Sequence, residues 1–156
     1  LAEPNERLLQ IARCEVRSEG AGRFMACPLQ KLRPEPSRYD VIWIQWGLGY
    51  LPDDDLRTFL KRCKAALGER GAICVKENVA RNGEWLVDDV EGCITRTDAK
   101  YRSLFAQSGL HIIHESEQTQ WPEDVLPVRM YALRPDAETE GRAGGGAGGG
   151  NGACSD

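Results

Sequence analysis

Hydrophobic positions along the chain follow two periods, and the places where the period changes mark the elements. EPNERLLQIARCEV opens with Leu8, Ile11, Ala12 and Val16 at helical spacing, with Pro4 suited to a first turn. RFMACP, residues 23–28, predicts a short strand, and LQKLRPEPSR a linker of turn formers. YDVIWIQW, residues 39–46, is apolar without alternation, which predicts a strand buried on both faces. A helix is expected from Pro52 to Leu67. Asp53, Asp54 and Asp55 complement its positive end, and Leu56, Phe59, Leu60, Cys63 and Leu67 form its apolar stripe. After Gly71, AICVKENVA predicts another central strand. RNGEWLVDDVEGCITR, residues 81–96, has no clear period and is read as a loop with room for one turn of helix. TDAKYRSLFAQSG predicts a third helix, capped by Thr97 or Asp98, with Tyr101, Leu104 and Phe105 inward. LHIIHESEQ and VLPVRMYALR then predict two strands joined by a short loop, as an antiparallel pair.

Helices alternating with strands imply an α/β fold with a mostly parallel sheet. Such sheets bind ligands beyond the carboxyl ends of their strands, which is where Gln45, Trp46 and Asn78 fall. An amide buried without partners would cost a few kcal/mol. Gln45 therefore makes sense at a ligand edge. A strand followed by a glycine-rich turn and a helix is missing from the pattern, so the chain is expected to be the latter part of a domain that starts before Leu1.

Composition refines this picture. The 156 residues suit one core, but PDAETEGRAGGGAGGGNGACSD is rich in glycine and has no apolar period. The expected division is a folded unit over residues 1–135 and a disordered tail over 136–156. A net charge of −4 argues against non-specific nucleic-acid binding and leaves room for a basic peptide. No stretch approaches the ~20 apolar residues that span a bilayer, and no secretory signal is visible. Cys14, Cys27, Cys63, Cys74, Cys93 and Cys154 form no Cys-x-x-Cys pair. Reduced thiols, mostly buried, are expected, and no metal site.

The segments EPNERLL, PLQKLRPEPSRYDVIWIQWGLGYLPDDDLRTFLKRCKAALGERGAICVKEN, DDVEGCITR and MYALR together resemble the S-adenosylmethionine-dependent methyltransferases that act on protein N-termini beginning Xaa-Pro-Lys. The resemblance spans residues 1–134. It implies a class I, Rossmann-like methyltransferase sheet, incomplete on its N-terminal side and ending in an antiparallel hairpin. It also implies S-adenosyl-L-methionine as cofactor, with Leu29, Gln30 and Gln45 lining its pocket. The family's ribose-holding acid would precede Leu1; Glu3 lies close to that strand end but past the contact.

On the substrate side the resemblance implies Trp46 against the peptide's N-terminal residues and Asn78 on its backbone. Asp88 is implied as receptor for the third-position lysine, with Cys93 where the family has a serine. Trp43, deeper on the strand face of Trp46's neighbours, is expected in the core. The family is read as removing the amine proton with a histidine and an aspartate, at positions held here by Tyr50 and Glu91. Free tyrosine, with a pKa of ~10, is a poor base at neutral pH. Glu91 is therefore the expected proton acceptor, with Tyr50 orienting the amine. Lys76 and Glu77 are assigned no role, and His111 and His114 are read as structural. The resemblance places the protein in nucleus and cytoplasm. The alternatives are a class I methyltransferase with another substrate, or a non-catalytic partner domain of the same fold.

Overall fold

A computed structural model describes residues 1–16, 22–81 and 83–137. The expected tail from 136 onward thus lies outside the described residues except at its first two positions. Helix α1 spans Glu6–Glu15. Strand β1 (Tyr39–Gln45) leads through a single 3-10 turn (Leu48–Tyr50) into α2 (Asp53–Ala66) and β2 (Leu67–Asn78). A small hairpin of β3 (Leu86–Asp88) and β4 (Cys93–Thr95) precedes α3 (Asp98–Gln107), and β5 (Leu110–Glu117) and β6 (Val128–Pro135) close the order.

Four strands form one sheet in the order β1-β2-β6-β5. β1 and β2 run parallel, whereas β2–β6 and β5–β6 are antiparallel. The expected closing hairpin is therefore present. The expectation of a mostly parallel sheet also holds among the described residues: β1, β2 and β5 share one direction, and β6 alone inserts between β2 and β5 in the opposite one.

One face of this sheet carries the core. Ile44, Ile73, Val75, Tyr131 and Leu133 point into it, against Leu56, Phe59, Leu60 and Cys63 of α2 and Tyr101, Leu104 and Phe105 of α3. Removing such side chains from water is what drives the layers together. Thr97 caps α3 as expected, its hydroxyl accepting from the Lys100 N–H at 3.1 Å. Glycine is required at Gly71, where an added Cβ would stand 2.6 Å from the Tyr39 carbonyl oxygen.

Several expectations are corrected. Among the described residues β1 is an edge strand, with Val41, Trp43 and Gln45 exposed on one face; Trp43 is 58 % exposed and not in the core. In α1 the buried residue is Leu9, while Leu8, Ile11 and Val16 are exposed. Asn5, not Pro4, sets the helix start by accepting from the Arg7 and Leu8 N–H groups. Both misreadings share a cause: an apolar stripe is buried only if another layer covers it, and none does among the described residues. RFMACP forms one isolated bridge, Ala2 to Met25, in place of a strand. Residues 81–96 contain the β3–β4 hairpin in place of a loop with a helical turn. β2 begins at Leu67 rather than after Gly71, and the connection from β5 to β6 runs to ten residues, 118–127. Cys63 is the buried thiol; Cys14 is exposed and Cys27, Cys74 and Cys93 are half-buried, all free. Cys154 lies outside the described residues.

Candidate active site

The site is assembled where β1 and β2 end. Gln45 is the last residue of β1, and the ladder continues one step further, with the Trp46 N–H donating to the Lys76 carbonyl at 3.0 Å. Trp46 then takes a left-handed backbone, φ 49°. For a bulky residue that conformation costs on the order of 1 kcal/mol or more and persists only where the surroundings enforce it. It turns the chain sharply and leaves the indole 45 % exposed, with the Lys76 ammonium 5.4 Å from the ring centroid.

Two buried ionisable side chains bond to the backbone of the turn. Glu77 is 4 % exposed. One of its oxygens, Oε1, accepts from both the Gly47 N–H (2.8 Å) and the Leu48 N–H (2.7 Å). Burial pushes its carboxyl up to about 7, against the opposing pull of those two N–H groups and of Arg96. Arg96, 1 % exposed, donates to the Leu48 carbonyl (3.1 Å), the Leu51 carbonyl (2.6 Å) and Asp53 Oδ1 (2.9 Å). The turn is gripped at its N–H groups by an acid and at its carbonyls by a base.

Neither residue was singled out from sequence. For Glu77 a signal existed: in AICVKENV, alternation puts Ile73, Val75, Glu77 and Val79 on one face, and all four are buried. For Arg96 the sequence carried none, because its partners are backbone carbonyls 45 and 48 residues away.

The other wall is the β3–β4 hairpin. It packs so tightly on the turn that a Cβ at Gly49 would be 3.2 Å from the Ile94 carbonyl and 3.8 Å from Cys93 Cβ. Asp88 Oδ1 accepts from the Val90 and Glu91 N–H groups, both at 2.9 Å, and Gly92 completes the reversal with φ 64°. Asp88, Asp89 and Glu91 are exposed, and Tyr50 is half exposed. The Tyr50 phenol is pushed up from 10 by partial burial and then by Cys93, Glu91, Glu77 and Asp88. Cys93 is pushed up by burial and by Asp88, Glu91 and Glu77. The structure therefore gathers Tyr50, Asp88, Glu91 and Cys93 in one acidic mouth, where the Tyr50 phenol is harder to ionise than free tyrosine.

Asn78 ends β2 half-buried, paired with Val128 across the sheet. Leu29 reaches the end of β1 from the preceding linker: its Cδ1 lies 3.1 Å from where a Gly47 Cβ would be. Gln30 stands on the adjoining turn with its side chain exposed, while Arg62 Nη2 holds the Leu29 and Gln30 carbonyls at 2.9 and 3.2 Å. Gln45 accepts from Trp43 Nε1 at 3.2 Å, and its own amide N–H groups have no partner among the described residues. An uncharged amide with free N–H donors at a strand end can hold acceptor groups of a cofactor such as S-adenosylmethionine without opposing its positive sulfonium. His111 and His114 are exposed on β5; His111 Nδ1 meets Asp136 Oδ1 at 3.2 Å.

This sheet end, with its closing antiparallel pair, is that of a class I methyltransferase. A 1,6-didemethyltoxoflavin-N1-methyltransferase of Burkholderia thailandensis, solved with S-adenosylhomocysteine, shares the fold at a TM-score of 0.67 and 20% identity, over 86% of this chain and 58% of that one. Within that class the chain belongs to the AdoMet dependent proline di-methyltransferase family, whose model matches residues 1–134. It is similar to alpha N-terminal protein methyltransferase 1 of Arabidopsis thaliana, 40% identical over 87% of this chain and 51% of the relative. It is also similar to N-terminal Xaa-Pro-Lys N-methyltransferase 1 of Danio rerio, 40% identical over 86% of this chain and 60% of the relative. A SAM-dependent methyltransferase of Leishmania major superposes at a TM-score of 0.82 with 37% identity, over 86% of this chain and 54% of that one. The chain thus spans roughly half the length of the relatives it matches.

Proposed function

We propose that the protein transfers methyl groups from S-adenosyl-L-methionine to the free α-amine of proteins beginning Xaa-Pro-Lys. The observation that carries this reading is the acidic mouth: Asp88 and Glu91 on a hairpin docked against the turn that presents Trp46 and Tyr50. A substrate with a positive amine and a lysine two residues on needs negative charge at its receptor and a rigid apolar surface for its proline. Family membership and the names of the relatives support the same substrate class.

Leu29, Gln30 and Gln45 would hold the cofactor, which supplies an electrophilic methyl on a sulfonium. Trp46 receives the proline, Asn78 binds the peptide backbone, and Asp88 receives the lysine ammonium. Near pH 7 the α-amine is largely protonated and must lose that proton before it can act as nucleophile. Glu91 is the group that takes it. Tyr50, held as a neutral phenol, orients the amine, and Cys93 borders it. Orientation supplies most of the rate gain in such a transfer, because no further activation of the electrophile is needed. We place the protein in the nucleus and cytoplasm, with basic N-terminal peptides as partners.

The test uses the gene product with any residues encoded ahead of Leu1. It is mixed with S-adenosylmethionine and a peptide beginning Ser-Pro-Lys, beside an N-acetylated copy, and added methyls are counted by mass spectrometry. Methylation of the free peptide alone is expected. Cofactor binding without transfer to either peptide would refute the assignment and leave the two alternatives, a different substrate or a non-catalytic role.

A further inference from the structure

We propose that Glu77 and Arg96 are positioning residues that hold the Trp46–Asp53 turn in the shape its substrate-facing side chains need. The inference rests on the reading that this turn faces a peptide. It goes beyond that reading in assigning work to two residues that touch no substrate.

Three observations carry it. Trp46 sits in a left-handed backbone that a tryptophan does not adopt without restraint. The next two N–H groups converge on a single oxygen of Glu77. Two carbonyls of the turn, those of Leu48 and Leu51, are both held by Arg96, whose third bond, to Asp53 Oδ1, ties the turn to the start of α2. Apolar side chains would fill those places at less desolvation cost. Charges placed there define where the backbone goes, because a carboxylate and a planar guanidinium each satisfy several backbone groups in one geometry.

The experiment reads hydrogen exchange of the 46–51 segment together with kcat and KM for the Ser-Pro-Lys peptide and for the cofactor. Glu77→Leu should expose the Gly47 and Leu48 amides to fast exchange. It should lower kcat/KM for the peptide about 100-fold, as a displacement near 1 Å does, with little change in cofactor KM. Glu77→Gln should restore most of the protection and transfer, since an amide oxygen accepts the same two N–H bonds. Arg96→Lys keeps the charge but cannot span three acceptors, so it should reproduce the fast exchange in a folded protein even if Glu77→Leu does not fold. Unchanged exchange in Arg96→Lys and in a folded Glu77→Leu would overturn the proposal, as would fast exchange with undiminished transfer. If the unaltered protein methylates no peptide, the proposed function fails, while exchange still decides what holds the turn.

Discussion

The turn from Trp46 to Asp53 and the hairpin from Leu86 to Thr95 meet at Gly49, yet they are built in opposite ways. The turn is anchored from inside by Glu77 and Arg96, both buried, and its own Leu48 and Leu51 are core residues. The hairpin has three residues per strand, and Leu86, Val87 and Asp88 are exposed. Asp88 steadies the hairpin by bonding its own loop. On the proposed reading, the wall that orients reacting groups is the over-determined one. A wall that must attract a charged chain can stand in water, where charge steers encounter without being buried.

That contrast can be broken at its strongest point. Arg96→Met leaves the Leu48 and Leu51 carbonyls without their donor and Asp53 without one partner, and should destabilise by about 3–5 kcal/mol in urea unfolding. A loss below about 1 kcal/mol would mean the turn does not depend on its buried base.

Next in size is a pH effect specific to Glu77. Its native carboxyl, pushed up to about 7 from 4.5, binds a proton that the unfolded chain has released across that interval. The resulting stability is fully present below about pH 4.5 and is lost as pH rises through about 7, a change on the order of 3 kcal/mol. Around the carboxyl stand Arg96, Tyr101 of α3, Tyr50 of the turn and Cys93 of the hairpin. Urea unfolding of the unaltered protein and of Glu77→Gln at several pH values between 4.5 and 8 should show their difference shrinking, then reversing, as pH rises. A difference independent of pH would contradict a buried titrating carboxyl.

On the hairpin, effects should be smaller and should appear in binding. Asp88→Asn preserves the bonds to Val90 and Glu91 and removes one exposed charge. Affinity for a Ser-Pro-Lys peptide should fall by about 0.5–1 kcal/mol, roughly two- to fivefold in Kd, and the loss should shrink at high salt. Calorimetry at two ionic strengths would decide it. Smallest of all is Val90→Ser at the hairpin tip, 94 % exposed, where stability should move by less than about 0.5 kcal/mol. A larger change would show that the tip packs on something in solution.

The positions of several candidate residues were legible before any coordinates. Gln45, Trp46 and Asn78 fall at strand ends as their positions in WIQW and KEN required, and Tyr50, Asp88, Glu91 and Cys93 do come together. The stripes of α2 and α3 matched their buried residues because each helix packs on a sheet that belongs to the described chain. The same rule misled at α1 and at Trp43. The hairpin was missed because its strands are three residues long, too short for alternation to register.

Local sequence thus determined the longer helices and strands, the cap of α3 and which residues stand at the carboxyl ends of strands, since these depend on neighbours within a few positions. Tertiary structure alone decided the rest. It folded the acidic hairpin onto Gly49, put β6 between β2 and β5, and left Val41, Trp43 and Gln45 exposed among the described residues. It also brought Arg96 to two carbonyls more than forty residues away and paired Glu77 with a turn across the sheet, and no local period records bonds made over such separations.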